Sequence, residues 1–428
     1  MIIEFSVSNY GSFNKIQTLS FKGTNLDSGD RSIDLQNLIF NDFAKYLKII
    51  GLYGANASGK TNLLKALLFF KDMISFSVVS EDYSRNNVNP FRQSAAGLQS
   101  DSFFQVIILL DNKKYRYGFT IKTNGEIGSE WLFGPAEKNE TYYFKRISGD
   151  VQINSEWFDE GMSLPLDNLR ADALFLSFCS SYNGQTSRKI RRFFWNDITF
   201  DLKVSRRGLR VGGVSSDGIY GSTNRLIDDG NEEMILTWLR EVGLVYNSIS
   251  IPHKEERTYS MPILLSKNVY SEDGKVIGQA KMDLKTDESE GTRKFYSYIG
   301  KFYKKFQEGG VYIVDEIDSN FHPSLLQKII QLFQNPNINK ANAQLLFTSH
   351  DTNLMDPKIM RRDQFYFAEK NIYDATKLYS LADLKGIRNN ADFARQYLAG
   401  IYGALPVLGD FLENKIEEDS ENIKREEF

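Results

Sequence analysis

Cysteine is almost absent: Cys179 stands alone among 428 residues, so no intramolecular disulfide can form and no thiolate zinc site can be built. Histidine is nearly as scarce, at three residues (His253, His322, His350), which argues against a multi-histidine metal centre. No apolar run approaches the ~20 residues that span a bilayer. The longest, Phe103–Leu110, is interrupted by Gln105 and reads as a buried strand. The opening MIIEFSVSNYGSF lacks a basic stretch followed by an apolar one and is not read as a secretion signal. Excess charge of one sign is missing too: 52 Lys+Arg oppose 55 Asp+Glu, a net charge of −3. That excludes a wholesale basic coat for nucleic acid, though not a local basic patch. The expectation is a cytoplasmic globular protein without a membrane segment. What is present is 41% hydrophobic and 13% aromatic residues, enough for a sizeable core. At roughly 100–200 residues per domain, the length allows two to four domains or one with large insertions.

Periodicity divides the chain. Ile2–Val7 and Ile16–Lys22 alternate as strands, Tyr46–Tyr53 is a single apolar run ending at Gly54, and Asn62–Ile74 has helical spacing. After an irregular stretch, Val78–Asp101, the segments Phe103–Leu110, Lys114–Ile121, Glu130–Phe133, Tyr142–Arg146 and Val151–Ile153 predict an antiparallel meander. Residues 166–248 read as helical, with a Gly- and Ser-rich interruption at Arg207–Ser222. Strand-like alternation returns over Ile249–Leu284. Ser289–Phe306 and Ser324–Phe333 predict helices; Val311–Val314, Gln344–Phe347 and Gln364–Ala368 predict strands. This gives an N-terminal lobe (1–165), a helical insertion (166–248), a C-terminal lobe (249–411) and a charged tail (412–428).

The strongest local signal is Gly54-Ala55-Asn56-Ala57-Ser58-Gly59-Lys60-Thr61, which fits the phosphate-loop pattern G-x-x-x-x-G-K-[ST] between an apolar strand and a helix. Gly54 and Gly59 let the backbone wrap closely and aim N–H groups inward, while Asn56, Ala57, Ser58 and Asn62 complete the loop and the first helical turn. The helix N-terminus adds a positive end, Lys60 a point charge for the β- and γ-phosphates, and Thr61 a hydroxyl for Mg2+.

Val311-Tyr312-Ile313-Val314-Asp315-Glu316 is a buried strand ending in two carboxylates, a Walker B pattern. Asp315 is placed on Mg2+ and Glu316 is the general base for the attacking water. Lys60 and Asp315 lie 255 residues apart, too far for a small GTPase, and no N-K-x-D guanine-reading motif occurs. Ser289, Gly291 and Thr292 open a helix 26 residues before Asp315 and form a second anion site. Strand Leu345–Phe347 leads through Thr348 and Ser349 to His350, placed as a γ-phosphate sensor.

In this order the elements resemble the ABC-type ATPase heads of the SMC, RecF and OLD group: Walker A at Gly54–Thr61, an abbreviated signature at Ser289, Gly291 and Thr292, Walker B at Asp315-Glu316, a D-loop at Asp318 and a switch histidine at His350. The turn Asn9-Tyr10-Gly11-Ser12-Phe13 is similar to that group's N-terminal turn, with Gly11 where a basic residue is usual. More narrowly, YGANASGKTN, YRYGF (Tyr115–Phe119), ALFLS (Ala173–Ser177), ESEGT, DEIDSNFHP and YLAGIYGALP (Tyr397–Pro406) look like stand-alone ATPases of bacterial phage defence, the RloA/AbiL-type and PARIS AriA-like proteins. The resemblance implies an α/β fold of mixed sheet with an antiparallel β subdomain and a helical insertion. It implies ATP and Mg2+ as cofactors, a homodimer or higher homo-oligomer closed around ATP, and a separately encoded effector, a Toprim- or RloB-like nuclease. The 78 residues after His350 hold no D-x-D cluster, so nuclease chemistry is not expected in this chain.

Two basic clusters, Arg188-Lys189-x-Arg191-Arg192 and Arg206-Arg207 with Arg210, keep nucleic acid open as a partner, as does the nearby Phe193-Phe194-Trp195. Two other readings stand beside phage defence: a RecF- or SMC-like head acting on DNA in repair, and a nucleotide-gated scaffold with incidental turnover.

Overall fold

Three runs are buried along their whole length: Ile49–Tyr53, Val311–Val314 and Gln344–Thr348. A strand that hides both faces belongs inside a parallel sheet covered on both sides, and the computed structural model puts all three there. It describes residues 1–41, 44–137, 139–202, 218–253 and 261–406.

In chain order the strands are β1 (Ile2–Ser8), β2 (Gln17–Ser20), β3 (Leu38–Asn41), β4 (Ala44–Leu47), β5 (Ile49–Tyr53), β6 (Ser102–Leu110), β7 (Lys113–Ile121), β8 (Ile127–Pro135), β9 (Glu140–Ile147), β10 (Asp150–Ile153), β11 (Ile198–Asp201), β12 (Ser248–Ser250), β13 (Leu264–Tyr270), β14 (Val276–Asp283), β15 (Val311–Val314), β16 (Gln344–Thr348), β17 (Phe365–Lys370) and β18 (Thr376–Ser380). The helices are α1 (Arg31–Asn37), α2 (Lys60–Phe76), α3 (Tyr83–Asn87), α4 (Phe175–Ser181), α5 (Gln185–Arg192), α6 (Gly221–Asp228), α7 (Glu232–Glu241), α8 (Glu290–Glu308), α9 (Pro323–Gln334) and α10 (Phe393–Leu398).

The central sheet has the order β11-β15-β16-β5-β17-β18 and is parallel except for the last pair. A second, seven-stranded antiparallel sheet runs β10-β9-β8-β7-β6-β1-β2. Strand alternation sends Ile50, Leu52, Ile313 and Leu346 into one core with α2 and this second sheet. Ile49, Tyr53, Tyr312, Leu345 and Phe347 enter the other, with α8 and α9. The buried amide of Gln344 links the two sheets, accepting from Ile2 N at 2.8 Å and donating to Leu47 O. Smaller sheets join β12-β13-β14 and β3-β4.

The fold is thus the mixed α/β head with an antiparallel subdomain that the sequence predicts, with three local differences. The apolar run Tyr46–Tyr53 is two strands: Lys48 N donates to Asn37 O and Lys48 O accepts from Leu345 N, so the chain changes sheets there. The stretch read as helical contains β11, which lies beside the Walker B strand in parallel register, Phe200 opposite Ile313. The irregular stretch Val78–Asp101 includes the short helix α3. The tail 412–428 and the cluster at Arg206, Arg207 and Arg210 lie outside the described residues. Among the described residues no helix is long and apolar enough to cross a membrane.

Candidate functional site

The carboxyl ends of β15, β16 and β5, neighbours in that order, carry every strand-end motif: Asp315-Glu316 follows β15, His350 lies two residues past β16, and Gly54–Thr61 follows β5. In open parallel sheets this edge is where ligands bind.

The phosphate loop is a tight cradle. Gly54 (φ 144°) and Gly59 (φ 111°) occupy backbone regions that favour glycine, and a Cβ would overlap Ala368 O at the first and Thr376 Oγ1 at the second. Ala57 is left-handed as well, at φ 62°. Asn56 and Ala57 are exposed at the tip, whereas Ser58, Gly59 and Lys60 are buried. The Lys60 ammonium donates to Gly54 O (2.8 Å) and Ala55 O (2.9 Å). Burial lowers its pKa, opposed by Asp315, Glu316 and Asp318. Three carboxylates therefore share the field of one lysine.

Thr61 Oγ1 donates to Asp315 Oδ2 at 3.0 Å, joining the start of α2 to the end of β15. The other carboxylate oxygen accepts from Thr348 Oγ1 at 2.6 Å, and the same hydroxyl accepts from Glu316 N at 2.7 Å. Glu316 sits at φ 49°, a left-handed conformation held by that bond. Asp318 Oδ2 accepts from His350 N at 3.1 Å. Desolvation by the surrounding protein and then Lys60 hold the His350 imidazole below its ordinary pKa, against Asp318, Glu316 and Asp315.

Ser289 is the N-cap of α8, its Oγ accepting from Thr292 N at 3.2 Å. Gly291 packs against the turn after Glu316: a Cβ there would lie 2.6 Å from Asn320 O. Ser289 is exposed and Thr292 buried. Asp315, Glu316, Asp318, His350, Lys60 and Thr61 thus converge on one site, and the signature residues adjoin it through the 316–320 turn.

Some participants escaped the sequence reading. Thr348 ties the two Walker B residues together, and only its place two residues before His350 hints at it. Ser12 Oγ accepts from Asn62 Nδ2 (2.9 Å) and Thr376 Oγ1 (2.7 Å), while Thr376 Oγ1 also reaches Ser58 O (2.8 Å). The N-terminal turn therefore braces the phosphate loop from behind. Of the glutamines near this lobe, Gln105 accepts from Trp131 Nε1 within the antiparallel sheet and Gln93 is exposed. Within the described basic cluster, Arg191 donates to Ser75 O, Lys189 pairs with Asp111, and Phe193 and Phe194 are core residues; Trp195 is 44% exposed.

A phosphate loop on β5, a two-carboxylate strand end on β15 and a histidine past β16, gathered at one edge of a mostly parallel sheet, make the arrangement of a P-loop nucleotide site. The chain belongs to the family described as "AAA domain, putative AbiEii toxin, Type IV TA system", which matches residues 49–171 and 252–356, more than half of its length. Solved structures with a similar course include the SMC head domain from Thermotoga maritima (10% identity, 89% of this chain and 98% of that one, TM-score 0.40). Others are an Smc head bound to the C-terminal winged-helix domain of ScpA (13%, 89% and 97%, TM-score 0.45) and an Smc head with an extended coiled coil bound to the C-terminal domain of Pyrococcus furiosus ScpA (12%, 94% and 99%, TM-score 0.41). No curated protein matches the chain.

Proposed function

We propose that this protein is a Mg2+-dependent ATPase whose copies pair around ATP, and that the cycle controls a separately encoded effector in bacterial anti-phage defence. One observation carries the nucleotide reading: the bond from Thr61 to Asp315, which joins phosphate loop and Walker B strand across 254 residues of sequence.

The donors suit Mg2+. A threonine hydroxyl and a carboxylate are hard oxygens, and Mg2+ takes few protein ligands beside phosphate and water. Among the described residues no cluster of three or more His, Cys, Asp or Glu offers an all-protein cage instead. Thr61 and Asp315 would hold the ion, which when bound neutralises charge on the β- and γ-phosphates. Gly54, Asn56, Ala57, Ser58, Gly59 and Asn62 shape the cradle, and Lys60 turns its ammonium from the loop carbonyls to the phosphates. Glu316 polarises the attacking water as general base. His350, kept neutral by its surroundings, reports the γ-phosphate, and Asp318 anchors its backbone. Ser289, Gly291 and Thr292 present a hydroxyl, a backbone N–H and a helix N-terminus to the nucleotide held by a second copy.

The defence role is supported by the family description, which names a putative toxin, and by the resemblance of the motifs to phage-defence ATPases. A Toprim- or RloB-like nuclease is the partner this implies. The DNA-repair reading draws less support, because Arg191 and Lys189 are already engaged and two of the three aromatics are buried. A scaffold with incidental turnover remains the other alternative, and it predicts full assembly with a non-hydrolysable analogue.

The test is steady-state phosphate release beside ATP binding. The wild type turns over, while Glu316→Gln binds ATP with unchanged affinity and loses on the order of 10²-fold or more in kcat. Wild-type turnover by that variant overturns the base assignment. Wild-type protein that binds no adenine nucleotide overturns the function.

A further inference from the structure

We propose that Lys294 is a positioning residue that couples the signature end of α8 to Glu316 of the same chain. The proposal rests on the ATPase reading above and deepens it by naming the link between the two halves of the composite site.

Gly291 and Lys294 are three residues apart in the first turns of α8, so they share one face. Both meet the turn that follows the Walker B strand. Gly291 leaves room for Asn320 O, which any side chain would displace. The Lys294 ammonium lies within hydrogen-bond distance of four oxygens: Glu316 O (3.2 Å), Ile317 O (3.2 Å), Ser319 O (2.9 Å) and Ser319 Oγ (2.9 Å). Its charge also sits 4.8 Å from the Phe321 ring centroid and 5.7 Å from that of Tyr298. An ammonium with three rotatable protons can serve such a converging set, whereas a planar guanidinium cannot.

The turn it holds is strained. Glu316 (φ 49°) and Asn320 (φ 65°) are non-glycine residues in the left-handed region, one at each end. Such conformations persist only where the surroundings over-determine them. The Glu316 N–H is held by Thr348, and its carbonyl accepts from Lys294 and, within the turn, from Ser319 N at 3.1 Å. Thr348 belongs to β16 and to the site in its own chain. Lys294 belongs to the helix whose N-cap Ser289 and first residue Glu290 are exposed. A ligand gripped by Ser289 and Gly291 that shifts the start of α8 therefore moves the Glu316 carbonyl through this ammonium. By reciprocity, the arrangement of Glu316 sets how well the signature end grips.

The experiment is a double-variant cycle in the full chain. Lys294→Met keeps the length of the side chain and removes every donor. Its kcat is expected to fall by roughly 10- to 100-fold, the scale of a small misplacement of a catalytic group, with ATP affinity within about twofold of wild type. Ser289→Ala removes only the hydroxyl of the signature end and leaves turnover measurable, and adding Lys294→Met to it is expected to lower kcat by less than the product of the two single effects, since both act through one link. Should Lys294→Met fold poorly, Lys294→Arg serves: it keeps the charge but not the converging bonds, and is expected to lose kcat severalfold at unchanged affinity. Wild-type kcat in the folded variant, parallel loss of ATP affinity and kcat, or effects that multiply in the double variant would each overturn the coupling. Absence of turnover in the wild type overturns the ATPase reading and this proposal with it, whereas wild-type turnover that the lysine variants leave untouched overturns this proposal alone.

Discussion

His350 shows how a single side chain takes its chemistry from its neighbours. Desolvation by the surrounding protein and the positive Lys60 both disfavour the imidazolium, and the three nearby carboxylates offset only part of that. The direction fixes the pH behaviour. With a pKa below the ordinary 6.5, the ring of the free enzyme is neutral at pH 7 and gains its proton only on further acidification. The pH profile of kcat/KM, which reports the free enzyme, should stay flat from pH 8 down through about 6.5 and fall below it. Replacing His350 by Gln should remove that acid limb, and a limb centred at or above 6.5 contradicts the assignment. At this scale the sequence was most informative. Lys60, Thr61, Asp315, Glu316 and His350 were legible because their motifs pair fixed residue types with fixed spacings, and the fold brings them to one edge of one sheet. Thr348 was not, since a buried hydroxyl at a strand end carries no signature of the two groups it bridges.

Elements are held to one another by buried polar links. Glu130, in β8, is 1% exposed and accepts from Phe175 N (2.7 Å), Leu176 N (2.9 Å) and Tyr117 Oη (2.9 Å), with Arg146 at 3.8 Å. The carboxylate thus caps the start of α4 and fastens it to the antiparallel sheet. Arg146 continues the link by donating to Ala173 O and Arg170 O. Removing one partner leaves a buried charge exposed to no water. Glu130→Gln should therefore cost about 3–5 kcal/mol of stability, read as a lowered midpoint in thermal or denaturant unfolding, while an unchanged midpoint contradicts the capping role. The sequence marked the strand through Glu130 and the ALFLS segment separately. It could not join them, because the contact spans 45 residues and two kinds of secondary structure. The strand β11 was hidden for a related reason. Its four residues follow directly on a helical stretch, and only pairing with β15 makes them a strand.

For the whole molecule, the order of motifs gave the fold class, and the topology supplied what order alone cannot. Placing β16 between β15 and β5 brings residues 54–61, 315–318 and 350 to one edge of one sheet. The signature end of α8 meets that edge through the 316–320 turn and leaves Ser289 exposed. A site completed only by a second copy has a consequence that no single-chain site shares. Lys60→Ala and Ser289→Arg should each inactivate the homodimer, because each lesion falls in both sites. In a mixed dimer both lesions fall in the same site, and the other is intact. Mixing the two inactive proteins with Mg2+ and ATP is therefore the most direct measurement: phosphate release should return, up to roughly a quarter of the wild-type rate for statistical pairing. If the mixture stays as inactive as its components while wild-type protein turns over ATP, the shared site is contradicted.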